Sequence, residues 1–335
     1  MIYYTYNFDN SEYFLMYDVI AIGDTTIDMF LTIDKETPQC ALDKANNKLM
    51  LDYGSKIPVQ ATERIVGVGN AANHAVAMTR LGLKAAIYTH VGADECGKDM
   101  VAAFVREGVP TQYIVYDHGK KTNYSTILDY SGDRTILVYH DERHYSLPKL
   151  KKTKWIYFSS ISGNHEEFND ELVAHVKKHR IKLAFNPGTM QMRLGIRKLM
   201  PILGVTDTLF VNKEEAETLV GEKKDIPSLM HALEKKGPRT VVVTNGKKGS
   251  YSLHNGAVYH AGLFRSDTVE RTGCGDAYAS GFLAATIQKL STIEAMRWGT
   301  MNAASVVEHI GSRAGLLTSK SLERRLSEQP DFMVE

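Results

Sequence analysis

From Tyr17 onward, short β-rich apolar runs alternate with helical patterns, and this rhythm limits the chain more than any other feature. The runs are YDVIAIG (17–23), AAIYTHVG (85–92), WIYFSS (155–160), KLAFN (182–186), TLFVN (208–212) and TVVVTNG (240–246). Strands that are apolar almost throughout suit a sheet covered on both faces. Helical periodicity is expected over Asn73–Leu81, Gly97–Glu107, Asn169–His179, Lys213–Val220 and Ile226–Lys235, several closed by a glycine suited to a C-cap. Strand–helix alternation predicts an α/β fold with a doubly wound, mostly parallel sheet. A single domain over residues 17–330 accommodates it, with residues 1–16 as an N-terminal extension that receives no function.

Two regions, about 29–68 and 111–145, break the rhythm. In the second, TNYSTILDY and DRTILVYH flank Ser131–Gly132 like a hairpin. Both follow early strands of the main sheet, near the carboxyl ends where ligands bind, which is the place for a β-sheet lid. A purely structural insertion is the alternative. Exposed lid edges would also offer a route to a homodimer.

Forty Lys and Arg stand against 39 Asp and Glu, so no global field draws the chain to nucleic acid or an anionic membrane, and small molecules are the expected partners. Three cysteines without a C-x-x-C pair suggest neither a disulfide framework nor a thiolate metal site, and the histidines lack metal-ligand spacing. No apolar run reaches the roughly 18 residues of a membrane span. A cytoplasmic location is the expectation.

The most informative segment is Glu270-Arg-Thr-Gly-Cys-Gly-Asp-Ala-Tyr-Ala-Ser-Gly-Phe282. Gly273, Cys274 and Gly275 let the backbone approach a ligand, and a helix begins just behind them, so amide N–H groups and the positive helix end would form an anion hole. Asp276 sits in the first turn, where the dipole favours an ionised carboxylate able to accept a proton. The plainer alternative is an Asp that caps a helix after a tight turn.

RTGCGDAYASGF resembles the D-T-x-G-A-G-D signature of the ribokinase-like (PfkB) family of carbohydrate kinases. Val68-Gly-Asn-Ala-Ala-Asn-His-Ala-Val-Ala-Met-Thr-Arg-Leu-Gly82 is similar to that family's G-G-N-A-A-N segment, and the resemblance spans Tyr17 to Leu326. It implies a ribokinase-like fold with a small β-sheet lid and an ATP-dependent kinase that phosphorylates a hydroxyl of a small sugar or sugar-like molecule. Asp276 would be the general base, with Gly273, Cys274 and Gly275 as the anion hole. Asp28, carried over as a first-strand residue, would hold the acceptor together with Gly69, Asn70 and Asn73. Asn212, Thr244, Gly246, Gly249, Thr272 and Asn302 would serve the nucleotide, and Glu215 would hold Mg²⁺ through water. Each has a plainer alternative: Asp28 a surface acid, Asn212 and Glu215 a helix cap, TNGKKG a hairpin turn, Asn302 a bond to a neighbouring loop.

Three departures qualify the resemblance. Glu270 and Arg271 replace Asp and Thr, which puts a monovalent cation in doubt, because the longer acid and a neighbouring guanidinium would displace it. Cys274 replaces Ala; the helix end would lower its thiol pKa, or it is simply a small residue that fits. Val68 replaces the first Gly of G-G-N and is not carried over.

An adenosine-like nucleoside kinase on the same fold is the first alternative. An NAD(P)-binding dehydrogenase would use Gly67-Val-Gly-Asn-Ala-Ala72 with Asp94, but it leaves RTGCGD unexplained. A noncatalytic sugar binder would be favoured only without Asp276. Gly92-Ala-Asp-Glu-Cys-Gly-Lys-Asp99 imitates a P-loop but places an acid where a hydroxyl must meet Mg²⁺, and is read as a turn.

Overall fold

A computed structural model describes residues 16–335 except Lys44, Asn47 and Gly132; residues 1–15 of the expected extension, like Gly132 of the expected hairpin turn, lie outside the described residues. The first half of the described chain runs β1 (Tyr17–Ile22), β2 (Thr26–Ile33), β3 (Cys40–Asp43), β4 (Lys48–Leu51), β5 (Ala61–Val68), α1 (Asn70–Arg80), β6 (Ala85–Gly92), α2 (Glu95–Arg106), β7 (Tyr113–Asp117), β8 (Tyr124–Tyr130) and β9 (Asp133–Tyr139). The second half runs β10 (Thr153–Phe158), α3 (His165–His179), β11 (Lys182–Phe185), α4 (Thr189–Arg193), α5 (Ile196–Leu203), β12 (Thr208–Asn212), α6 (Lys213–Val220), α7 (Ile226–Glu234), β13 (Thr240–Thr244), β14 (Ser250–His254), β15 (Ala257–Ala261), α8 (Cys274–Ile287), α9 (Thr292–Val306) and α10 (Ser319–Ser327).

Among the described residues the central sheet has nine strands in the order β7-β6-β1-β10-β11-β12-β13-β14-β15. It is parallel from β7 to β13 and antiparallel at β14 and β15. Alternate side chains enter different cores: Val19 and Ala21 pack with α1, α2, α8 and α9, while Ile20 and Ile22 pack with α3, α5 and α7. Both faces are covered, which is why the strands read as unbroken apolar runs. Helix α3 starts four residues before the expected Asn169, because its first turn, His165-Glu-Glu, is polar and carries no apolar period.

The lid is a four-stranded sheet, β5-β2-β8-β9, with the β3–β4 hairpin packed on it through Ile33, Cys40 and Leu128. Two boundaries differ from expectation. The lid begins at Thr26 rather than Met29, and β7, inside the expected 111–145 segment, belongs to the central sheet, where Tyr113 pairs with Tyr88. Arg143 and Tyr145, also inside that segment, are buried, bonded to Asp117 and Asp24. Local pattern marks a strand but not the sheet it joins.

The P-loop imitation is structural. Asp94 caps α2, accepting from the Gly97 amide at 2.8 Å, and Asp99 pairs with Arg64. The G-x-G-x-x-A stretch begins on the last two residues of β5, a lid strand in an antiparallel pair with β2, not the opening strand of a βαβ unit.

Candidate active site

The carboxyl ends of the parallel strands converge on one edge: β11 runs into Asn186, β12 ends on Asn212 and β13 on Thr244. Helices α1 and α8 start at the same edge and pack against each other, so residues 200 positions apart meet there. Gly273 opens α8 at φ 78°, and a Cβ on it would lie 2.3 Å from the Ser312 Cβ. Only glycine fits. At Gly275 an added Cβ would meet nothing within 4 Å, so no neighbour within the protein demands glycine there.

Asp276 is bound to α1. The Asn73 Nδ2 donates to its Oδ2 at 2.7 Å, and the Asn73 Oδ1 accepts from the Ser312 hydroxyl at 2.9 Å, which fixes the orientation of the amide. Burial pushes the Asp276 carboxyl up to about 6, opposed by the Asn73 bond and assisted by the charge of Glu215. Desolvation outweighs the dipole in setting this value, yet a carboxyl near 6 is still ionised at neutral pH, as expected of it in the first turn. Beneath the base, Ser280 Oγ donates to the Asp276 carbonyl at 2.6 Å and lies 3.0 Å from His74 Nδ1, and His74 stacks on Tyr157 with centroids 3.6 Å apart.

Asn70 reaches a residue the sequence reading missed. Its Nδ2 donates to Asn186 Oδ1 at 3.2 Å, which also accepts from the Tyr157 hydroxyl at 3.0 Å. A polar residue ending the buried strand KLAF was the available signal. Gly69 precedes α1 with its backbone against the main chain of Asp24.

Asp28 is not on the first strand. It lies in lid strand β2, in register with Ser125 of β8 and Ile65 of β5, because the chain bends at 23–25 before the acid appears. Burial raises its carboxyl to about 6, the Ser125 bond opposing and Glu270 adding to the rise, so it is not a free surface acid.

Beside the first turn of α8 an open pocket with a cavity volume of about 220 Å³ is bounded by Thr244, Gly246 and Gly249, by Leu263 and Phe264, by Arg271, Cys274, Gly275 and Tyr278, and by Ala303, Ala304 and Val307. Glycine turns on one side and apolar side chains on the other give it the mixed lining of a nucleotide site. Thr272 and Asn302 do not line it. Asn302 is fully buried, its Nδ2 donating to the Ala277 carbonyl at 2.8 Å and its Oδ1 accepting from the Leu317 amide at 3.0 Å, so both ends serve packing. Thr272 directs its amide (2.7 Å) and hydroxyl (2.5 Å) to the Glu270 carboxylate.

Asn212 and Glu215 form a reciprocal cap on α6, each backbone amide donating to the other's side chain at 2.8 Å. The plainer reading is realised, but burial also raises the Glu215 carboxyl, and its charge reaches Asp276. Of the two readings of Cys274, the lowered thiol is overturned: burial, then the charge of Asp276, pushes it up, which leaves the small residue that fits. The guanidinium on Glu270 is that of Arg134 from β9, not Arg271, which faces the pocket. Among the described residues no group of three or more His, Cys, Asp or Glu gathers as a metal site, and no helix is long and apolar enough to cross a membrane.

The sequence profile of the pfkB family carbohydrate kinases matches residues 21–319. A ribokinase of Haemophilus influenzae is 29% identical over 267 residues, covering 75% of this chain and 84% of its own. Among solved structures, the Methanocaldococcus jannaschii nucleoside kinase superposes with a TM-score of 0.75 at 20% identity, over 93% of this chain and 98% of its own. The Arabidopsis thaliana ribokinase, solved with ribose and ATP, gives 0.76 at 18% identity, over 93% and 99%.

Proposed function

The chain belongs to the pfkB family of carbohydrate kinases, and from that premise we propose that it transfers the terminal phosphate of ATP to a hydroxyl of an uncharged sugar or sugar-like acceptor, with Asp276 as base. The observation that carries this reading is the Asn73–Asp276 pair at the start of α8, beside the open pocket. In this reading ATP would lie in the pocket with its phosphates toward Cys274 and Gly275 and its nucleoside toward Leu263, Phe264 and Ala304, which line it.

In this reading Asp28, Asn70 and Asn73 orient the acceptor and the lid closes over it. Asp276 accepts the proton of the attacking hydroxyl, and the first-turn amides of α8 face the charge that develops on the transferred group. Solvent exclusion by the lid strengthens those donors and suppresses hydrolysis. Glu215 fits Mg²⁺: it is a half-buried hard oxygen donor that uses Oε2 for its cap and would hold the hydrated ion, which would neutralise phosphate charge. No monovalent cation is included, because Arg134, Thr272 and the Gly311 amide already engage the Glu270 carboxylate.

In this reading the acceptor meets the carboxylates of Asp28 and Asp276 while Arg134 is paired with Glu270, which disfavours sugar phosphates and sugar acids. The test is ADP release with a panel of sugars, sugar acids, sugar phosphates and nucleosides. Stimulation by an uncharged sugar supports the reading, stimulation by nucleosides alone moves it to nucleoside kinase, and stimulation by anionic sugars alone refutes the electrostatic argument.

A pH prediction follows from the same base. Asp276 must be unprotonated to accept, so kcat should fall as pH drops through about 6. A limb centred near 4 would show that burial does not control the base.

We also propose a homodimer through the lid. Strand β9 is exposed along its whole length and presents Ile136, Leu137, Val138 and Tyr139 beside an unpaired edge. Light scattering should give twice the chain mass, and a Leu137→Lys, Val138→Lys variant should shift it toward monomer. A monomeric parent would exclude the arrangement.

A further inference from the structure

We propose that Arg134 is a positioning residue that couples lid closure to the alignment of Asp276, acting through Glu270 and the turn at Gly311–Ser312. The inference rests on the kinase reading above.

Arg134 is the second residue of β9, the outer strand of the lid, and its Nη1 donates across the cleft to Glu270 Oε1 and Thr272 Oγ1. Glu270 extends the link, its Oε2 accepting from the Gly311 amide at 3.3 Å. Ser312, the next residue, supports both halves of the catalytic apparatus. Its hydroxyl orients Asn73, which donates to Asp276, and its Cβ packs where Gly273 has no room for a side chain. A chain of polar contacts thus runs from the lid to the base, with the anion hole resting on the same turn.

The opposite edge of the lid meets this turn as well. A Cβ on Gly311 would lie 2.1 Å from the Ile65 Cδ1 of β5, and Arg313 donates to the Val66 carbonyl. One edge therefore reaches the turn through Glu270, and the other by packing and a hydrogen bond. With the lid raised, the turn would lose both contacts, and with them the support that sets the Asn73 amide against Asp276.

Energetics separate this role from a merely structural one. Arg134 and Glu270 are only partly exposed, but without the guanidinium the Glu270 carboxylate still accepts from Thr272 and the Gly311 amide, so little stability should be lost, whereas a misplacement of about 1 Å in a reacting group costs about 100-fold in rate. Removing the guanidinium should leave the melting temperature nearly unchanged and lower kcat.

The experiment is a double-mutant cycle on the active enzyme with the acceptor that the panel identifies. Arg134→Ala and Glu270→Gln should each lower kcat by about 10- to 100-fold, with a smaller effect on acceptor KM. The double variant should be no worse than the poorer single variant, because both break one link. Arg134→Lys should recover part of the loss, and added guanidinium chloride should partly restore Arg134→Ala. Glu270 also holds Thr272, so if Glu270→Gln fails to fold, the guanidinium rescue of Arg134→Ala decides alone. Multiplicative losses in a folded double variant, or a rise in KM at unchanged kcat, would overturn the proposal. A wild-type enzyme inactive on the whole panel would refute the kinase reading itself, an outcome distinct from loss in Arg134→Ala alone.

Discussion

Replacing Asp276 by Asn is expected to cost about 100- to 10,000-fold in turnover while raising the melting temperature. The amide keeps an oxygen for the Asn73 donor at 2.7 Å but cannot accept a proton from the acceptor hydroxyl. The gain in stability follows from linkage. The folded carboxyl titrates near 6, above its unfolded value, so the protonated form contributes stability that is complete at low pH and lost as pH rises through about 6. At neutral pH the buried, ionised carboxylate therefore costs on the order of 3 kcal/mol, which the neutral amide removes. Thermal unfolding of both proteins at pH 5 and pH 8 checks the sign, since the advantage of the Asp276→Asn variant should be larger at pH 8. Retained turnover would remove Asp276 as the base, and an advantage independent of pH would remove the account of its burial.

Gly273→Ala should reduce both stability and rate, whereas Gly275→Ala should reduce rate alone. At Gly273 a side chain must adopt φ 78° and place its Cβ 2.3 Å from the Ser312 Cβ. The left-handed backbone alone costs about 1–2 kcal/mol, and the collision adds to it. Relief requires Ser312 to move, which takes away the hydroxyl that holds Asn73. A loss of about 100- to 1,000-fold in kcat is expected, the scale of one anion-hole donor. At Gly275 an alanine meets no protein atom, so folding should be unaffected. Its methyl group would instead enter the space where phosphate oxygens approach the helix, raising KM for ATP and lowering kcat. Chemical denaturation and ATP saturation curves for the two variants distinguish these cases. Normal kinetics in Gly275→Ala would show that no ligand uses that space.

The motifs with backbone chemistry were legible because their physics is local. A Gly-x-Gly-Asp turn opening a helix carries its own donors and carboxylate, and Gly273 and Asp276 stand where that reasoning places them. Thr244, Gly246 and Gly249 border the pocket as well. For Asn302 the resemblance implies a nucleotide contact and the residue alone allows a bond to a neighbouring loop; an isolated polar residue on an apolar helix gives no sign of which, and here Ala277 and Leu317 take both ends. Asn186 was overlooked for the converse reason, since a lone Asn before Pro reads as a strand terminus.

Local sequence was enough to set the strand–helix rhythm, the two covered faces of the sheet and the conformation of the turn that opens α8, because periodicity, capping and glycine conformation act over a few residues. Long-range packing was needed to bring β7 into the central sheet, to carry Asp28 on the lid, and to join Asn73 to Asp276 across 203 positions. The same packing governs the protonation behaviour of the site: desolvation raises Asp276, Asp28 and Cys274 against what a helix end or a free surface would give. Burial depends on everything packed around a group, and no local stretch of sequence encodes that.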